Sequence, residues 1–130
     1  MFIYEDYLKE ENHLSFEKAV KIHAEILKAG NLNDIDFKEL WEEVLESAIV
    51  YGHTRALWSI QSFEQRREID ETRTRQHNLF MSNLKVLMRY MEGQGWHTEW
   101  FVKIGTIESD RKRLGDFACY LVNLQSLLAR

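Results

Sequence analysis

Arg66, Asp70, Arg73 and His77 recur at spacings of four, three and four. On a helix that turns about 100° per residue, all four share one face. Arg55 falls on the inner face of the preceding helical stretch, at the same angle as Phe37, with Tyr51 and Trp58 at its margin. These residue types support two kinds of chemistry. Converging arginines beside a His and an Asp can hold a phosphate or carboxylate bidentately. In a hydrolytic version His77 is the general base and Asp70 orients it. The alternative is architectural: charges on an inner face must pair, so the cluster would be an ion-pair network that sets helix register. Spacing identifies no activated nucleophile. The only cysteine, Cys119, is placed on the outer side of the last helix, away from Leu114.

The remaining histidines carry less. His13, His23, His53, His77 and His97 make no HExxH and no other i, i+4 pair, so no metal or other cofactor is expected. His97-Thr98-Glu99 has the His-x-Glu spacing of zinc deaminases, which also need a downstream thiolate pair; one cysteine cannot supply it. A histidine on a helix in a bundle of this size resembles histidine phosphotransfer domains. That family follows its exposed histidine closely with Lys and Gly, whereas Asn78, Leu79, Phe80 and Met81 follow His77. Only Leu79 fits the pattern, so no role carries over.

The elements that must position these residues are helical. The chain of 130 residues has no proline and six glycines, where average usage of about 5% would give roughly six prolines. Long uninterrupted helices follow, because proline costs about 3 kcal/mol in a helix interior. The expected fold is all-α: one domain over residues 1–130, an irregular bundle of four main helices with one or two short ones, and residues 1–14 packed on it as an arm.

Ser15 and Gly30 bound a first helix with Phe16, Ala19, Val20, His23 and Leu27 inward. Asp36 and Glu39 read as a capping box opening a second helix, Phe37 to about Ser62, with Phe37, Trp41, Val44, Ala48 and Tyr51 inward. A turn at residues 62–65, or an unbroken helix there, leads into a third helix. Its apolar stripe is Phe80, Met81, Leu84, Leu87, Met88 and Met91. If the turn is real, reflection about residue 63 sets Arg55 beside Asp70 and Arg73. Gly93 and Gly95 stop the third helix. A short helix over Thr98–Ile104 closes at Gly105, and Ser109 or Asp110 caps the last helix, whose Leu114, Phe117, Ala118 and Leu121 face inward.

Composition narrows the function classes. Hydrophobic residues at 45% and charged residues at 29% describe a folding chain. One cysteine excludes an internal disulfide and fits a reducing compartment. The acidic start MFIYEDYLKEEN is not a signal peptide, and no segment approaches the roughly 20 apolar residues of a membrane span. A cytoplasmic protein without a membrane partner is expected. Residues 1–46 carry 12 acidic and five basic side chains, residues 47–130 nine and 12. Acidic residues interrupt every arginine run, so nucleic acid is not the expected partner. The expected role is a small regulatory or protein-interaction domain, with a partner protein or a second copy as its ligand. Trp96 and Trp100, on a glycine-flanked loop, are the candidate partner anchors. A small anion bound by the Arg/Asp/His cluster is the alternative, and weak nucleic-acid binding a second.

Overall fold

A computed structural model describes residues 14–104 and 111–128. The described residues contain no strand and form five helices: α1 (Phe16–Ala29), α2 (Ile35–Ile60), α3 (Phe63–Gly93), α4 (Trp100–Lys103) and α5 (Arg111–Leu128). The protein is therefore all-α, a bundle of four main helices and one short one. The expected arm over 1–14 falls, apart from Leu14, outside the described residues. So do the expected stops and caps at Gly105, Ser109 and Asp110.

The helix ends are set by side-chain capping. Ser15 accepts from the Lys18 N–H at 3.2 Å and opens α1. Asp34, not Asp36, opens α2: its carboxylate accepts from the Phe37 N–H at 3.0 Å. The helix starts two residues earlier than the Asp36/Glu39 spacing implies, because Asp34 has a second partner, the Tyr90 hydroxyl, at 2.8 Å. Gln61 and Ser62 break the chain between α2 and α3 through a capping box. Ser62 Oγ accepts from Gln65 N–H at 3.3 Å, and Gln65 Oε1 accepts from Ser62 N–H at 2.9 Å. The turn is real and needs neither glycine nor proline.

The core follows the helical period in α2, α3 and α5. Phe37, Trp41, Val44, Ala48 and Tyr51 meet Phe80, Leu84, Leu87 and Met91, with Leu114, Phe117, Ala118 and Leu121 closing the third side. In α1 the buried face is Ala19, Ile22 and Ile26, while Phe16 and Val20 are exposed. The expected face was rotated by about one residue. Its real anchor is Leu14, buried before the helix begins, whose N–H donates to Asp116 at 3.1 Å.

α2 and α3 pack as an antiparallel hairpin longer than the core they share. No described residue from His53 to Gln76 is buried. The last two turns of α2 and the first four of α3 form an overhang, and this is why α3's core stripe turns ionisable there.

Candidate functional site

Trp58 is the centre of the overhang. It is half-buried, and two guanidinium groups lie over its ring: Arg66 Cζ at 4.3 Å and Arg73 Cζ at 4.6 Å from the ring centroid. Both distances are within cation–π range. Arg66 Nε also donates to the Trp58 carbonyl at 2.8 Å. That bond ties the end of α2 to the first turn of α3 and helps satisfy the C-terminal carbonyls. Arg73 reaches back one turn to Asp70 at 2.9 Å, an i, i+3 pair whose carboxylate is more than half exposed. Around these groups lies a hollow of about 410 Å³ lined by Trp58, Phe63, Arg66, Arg67 and Asp70.

The structure thus brings together Arg66, Asp70, Arg73 and Trp58. It does not bring Arg55 to them. The Arg55 guanidinium points to α5, where Nη1 lies 3.6 Å from the Asp116 carboxylate and 3.6 Å from Cys119 Sγ. Reflection across the turn gives the level of Arg55 along the hairpin but not the side it faces. α5 packs on that side and offers a carboxylate. For the same reason Cys119 is not on an outer surface: α2 covers it, and it is half-buried.

His77 and Tyr51 belong to the core rather than to the hollow. His77 is 8% exposed, its ring stands edge-on to Tyr51 with centroids 5.6 Å apart, and Nδ1 lies 3.2 Å from Asn78 Oδ1. Enclosed by an aromatic ring, it is not placed to act as a base on a ligand in the hollow. Asp70 pairs with Arg73, so the base-and-orienter pair is not assembled.

Trp100 is fully buried and cannot anchor a partner. Trp96 packs edge-on against Phe37 at 5.8 Å and Tyr90 at 5.9 Å, between the ends of α2 and α3. Gly95, at φ 78°, turns the chain so that Trp96 folds back onto the core. The loop's indoles are core material delivered by a turn.

Two groupings were not visible in the sequence. Glu25 on α1 lies 2.8 Å from Lys103 Nζ and 3.4 Å from His97 Nε2, gathering the short helix and its loop onto α1. The Glu25 hydrogen bond raises the Lys103 pKa above its ordinary value. The second grouping is apolar and exposed. Leu57, Ile60 and Phe63 are 53%, 80% and 74% exposed at the hairpin tip; Phe63 lines the Trp58 hollow, while Leu57 and Ile60 line a separate hollow of about 440 Å³ against Cys119 and Val122 of α5. Their i, i+3 spacing across a helix end carries no sequence signal, because apolar residues there read as core. Among the described residues there is no group of three or more His, Cys, Asp or Glu arranged to hold a metal. No described helix is long and apolar enough to cross a membrane.

No protein-family model, curated protein or solved structure matches the chain.

Proposed function

We propose that the protein is a small cytoplasmic interaction domain that binds a partner protein through the tip of the α2–α3 hairpin. The observation that carries this reading is three large apolar side chains exposed at the hairpin tip: Phe63 beside the arginine-bracketed Trp58, and Leu57 and Ile60 on the side of α2 that faces α5. Trp and Arg are the residue types that dominate binding energy at interfaces, and a central apolar anchor with a charged rim is the usual anatomy. Scattered exposed apolar residues are ordinary on a surface, but adjacent ones at a tip form a patch. The single cysteine supports the cytoplasmic part of the proposal.

A small-anion ligand is the second reading, favoured by Arg67, which lines the hollow and is exposed. It would occupy the Trp58 hollow without needing Leu57 or Ile60, which line the other one.

A photo-crosslinking side chain placed at Ile60 or Phe63 in cells tests the proposal. Discrete adducts are expected from these two positions and not from Lys38, which is exposed near the other end of the hairpin. They should vanish when Leu57 is changed to Ser. Identical adduct patterns at the tip and at Lys38 would refute it. A thermal shift with inorganic phosphate that is lost in Arg67→Ala would favour the small-anion reading instead.

A further inference from the structure

A hollow of about 380 Å³ lies where α1, α4 and α5 meet. It is lined by Lys18, Lys21, Ile22 and Glu25 of α1, Lys103 of α4 and Arg113 of α5. It shares no residue with the Trp58 hollow. Spacing explains the α1 wall. Lys18, Lys21, Ile22 and Glu25 stand at i, i+3, i+4 and i+7, one face of a helix that turns about 100° per residue. Ile22 on that face is buried in the core, so α1 is fixed with its two lysines beside the hollow.

Four cations meet one carboxylate there, and that carboxylate is already engaged. Glu25 lies 2.8 Å from Lys103 Nζ and 3.4 Å from His97 Nε2. Lys21 pairs with Glu17 at 3.6 Å, but both side chains are exposed, and a pair of that kind contributes little. Arg113 bonds to a neutral acceptor: its Nη2 donates to the Lys103 carbonyl at 2.7 Å. Its Nε is enclosed without a hydrogen-bond partner among the described residues. A cluster built only to hold helices together supplies a carboxylate for its cations, because an enclosed donor left unmatched costs stability. This cluster is short of acceptors instead. The Arg113–Lys103 bond also ties the start of α5 to the end of α4, so the guanidinium is held in place before any ligand arrives.

We infer that this hollow binds the phosphoryl group of a small phosphomonoester. Its cations come from three helices, and therefore from different directions. That suits a tetrahedral group with oxygens on several sides better than a planar carboxylate, which one fork-shaped guanidinium holds alone. A phosphomonoester carries a charge of about −1.5 to −2 at neutral pH, so it answers more of the positive wall than a carboxylate does. Ile22 and the lysine stems give the hollow apolar surface as well. Its volume lies within the range of about 300–1,000 Å³ usual for small-molecule sites, which leaves room beside the phosphoryl group for a short organic body.

Isothermal titration calorimetry on the full chain, with inorganic phosphate and with glycerol phosphate, tests the inference. Saturable binding of both is expected, with glycerol phosphate at least as tight. Arg113→Gln should weaken binding by about tenfold or more, as the loss of one charge-assisted contact implies. Lys21→Gln should weaken it in the same direction. Both side chains are at least partly exposed, so the helical circular dichroism should not change. Lys38→Gln, an exposed lysine on α2, should leave binding as it was. No saturable binding of either anion up to about 10 mM would overturn the inference. So would binding that is indifferent to both Arg113→Gln and Lys21→Gln. Binding that Arg67→Ala abolishes and Arg113→Gln spares would place the anion in the Trp58 hollow and overturn it too. Glycerol phosphate that binds more weakly than phosphate would overturn the assignment to a monoester.

Discussion

The Arg55 guanidinium lies in the space that Gly115 leaves by having no side chain. A Cβ on Gly115 would sit 2.4 Å from Arg55 Cζ and 2.5 Å from Nη1. The glycine, buried near the start of α5, lets a long cation cross that helix and reach Asp116 and Cys119. Asp116 in turn accepts the Leu14 N–H, so one carboxylate links α2, α5 and the entry to α1.

This arrangement predicts a dependence on background. In the native chain Gly115→Ala forces the Arg55 guanidinium to shift and loosens its 3.6 Å ion pair with Asp116, a loss of about 1 kcal/mol. The gain in helix propensity, about 1 kcal/mol, is cancelled by that loss, so little net change is expected. In an Arg55→Ala background the same Gly115→Ala change has nothing to displace and should stabilise by about 1 kcal/mol. Urea unfolding of the four chains of this cycle measures both values. A destabilisation by Gly115→Ala that is equal in both backgrounds would mean that the glycine serves the backbone and not Arg55.

Arg73→Ala should cost only about 1 kcal/mol. Its pair with Asp70 is largely solvated, where ion pairs contribute about 0–1 kcal/mol, and its stacking on Trp58 adds about 0.5–1 kcal/mol. A buried network would cost about 3–5 kcal/mol on losing one member. Urea midpoints separate the two, and a loss above about 3 kcal/mol would show that Arg73 holds more of the fold than its exposed partner implies.

The core seams were legible because burial there obeys the period of the helix. Phe37 to Tyr51 and Phe80 to Met91 are inward as their spacing requires. The cluster was legible only in part. Asp70 and Arg73 are three apart on one helix, and Arg66 meets Trp58 across a turn marked by Ser62 and Gln65, so local rules suffice. The destination of Arg55 depends on which neighbour packs beside α2, and spacing within α2 does not contain that. Gly115 was the available signal: a glycine kept inside a helix at a cost of about 1 kcal/mol marks a close approach. What approaches is a side chain and not a backbone. Trp100 was misplaced because glycines on both sides of an aromatic stretch describe an exposed loop and a tight return to the core equally well.

The Asp34–Tyr90 contact predicts behaviour at both ends of the pH scale. The Phe37 N–H and then the Tyr90 hydroxyl hold the Asp34 carboxyl below its ordinary value. Its contribution to stability is present above the ordinary value and is lost as the pH falls through the lowered one. The hydrogen bond to Asp34 pushes the Tyr90 phenol up to about 12. That contribution is complete below 10.0, the ordinary value, and is lost as the pH rises through about 12. Tyrosinate absorbance should therefore contain a component near pH 12 that Tyr90→Phe removes. A high-pH component that survives Tyr90→Phe would assign it to another tyrosine.

His23 predicts a second acid dependence. It lies between Trp41 and Tyr120, with ring centroids 5.7 and 5.9 Å away, and burial lowers its pKa below 6.5. The unfolded chain binds the proton more readily, so stability is present above pH 6.5 and declines as the pH falls below it. Thermal melts between neutral and mildly acidic pH should show this decline, and His23→Gln should flatten it. An unchanged slope in His23→Gln would place the titrating group elsewhere.

Gly30→Ala should destabilise for a reason unrelated to backbone freedom. Gly30 has φ −85°, a conformation open to any residue. A Cβ there, however, would lie 2.2 Å from the tip of the Phe37 ring, which is completely buried. The ring is held by the first turn of α2 and by Trp96, so it cannot withdraw without disturbing the core. Overpacking of this kind costs about 1–3 kcal/mol. Phe37→Leu alone should also destabilise, by leaving a cavity. In the Gly30→Ala background the same change makes room for the new methyl, so the double variant should be more stable than the two losses combined would allow. Thermal unfolding of the two single variants and the double variant measures that coupling. If the losses simply add, the methyl at residue 30 is accommodated without touching the ring, and the close approach of Gly30 to Phe37 does not limit stability.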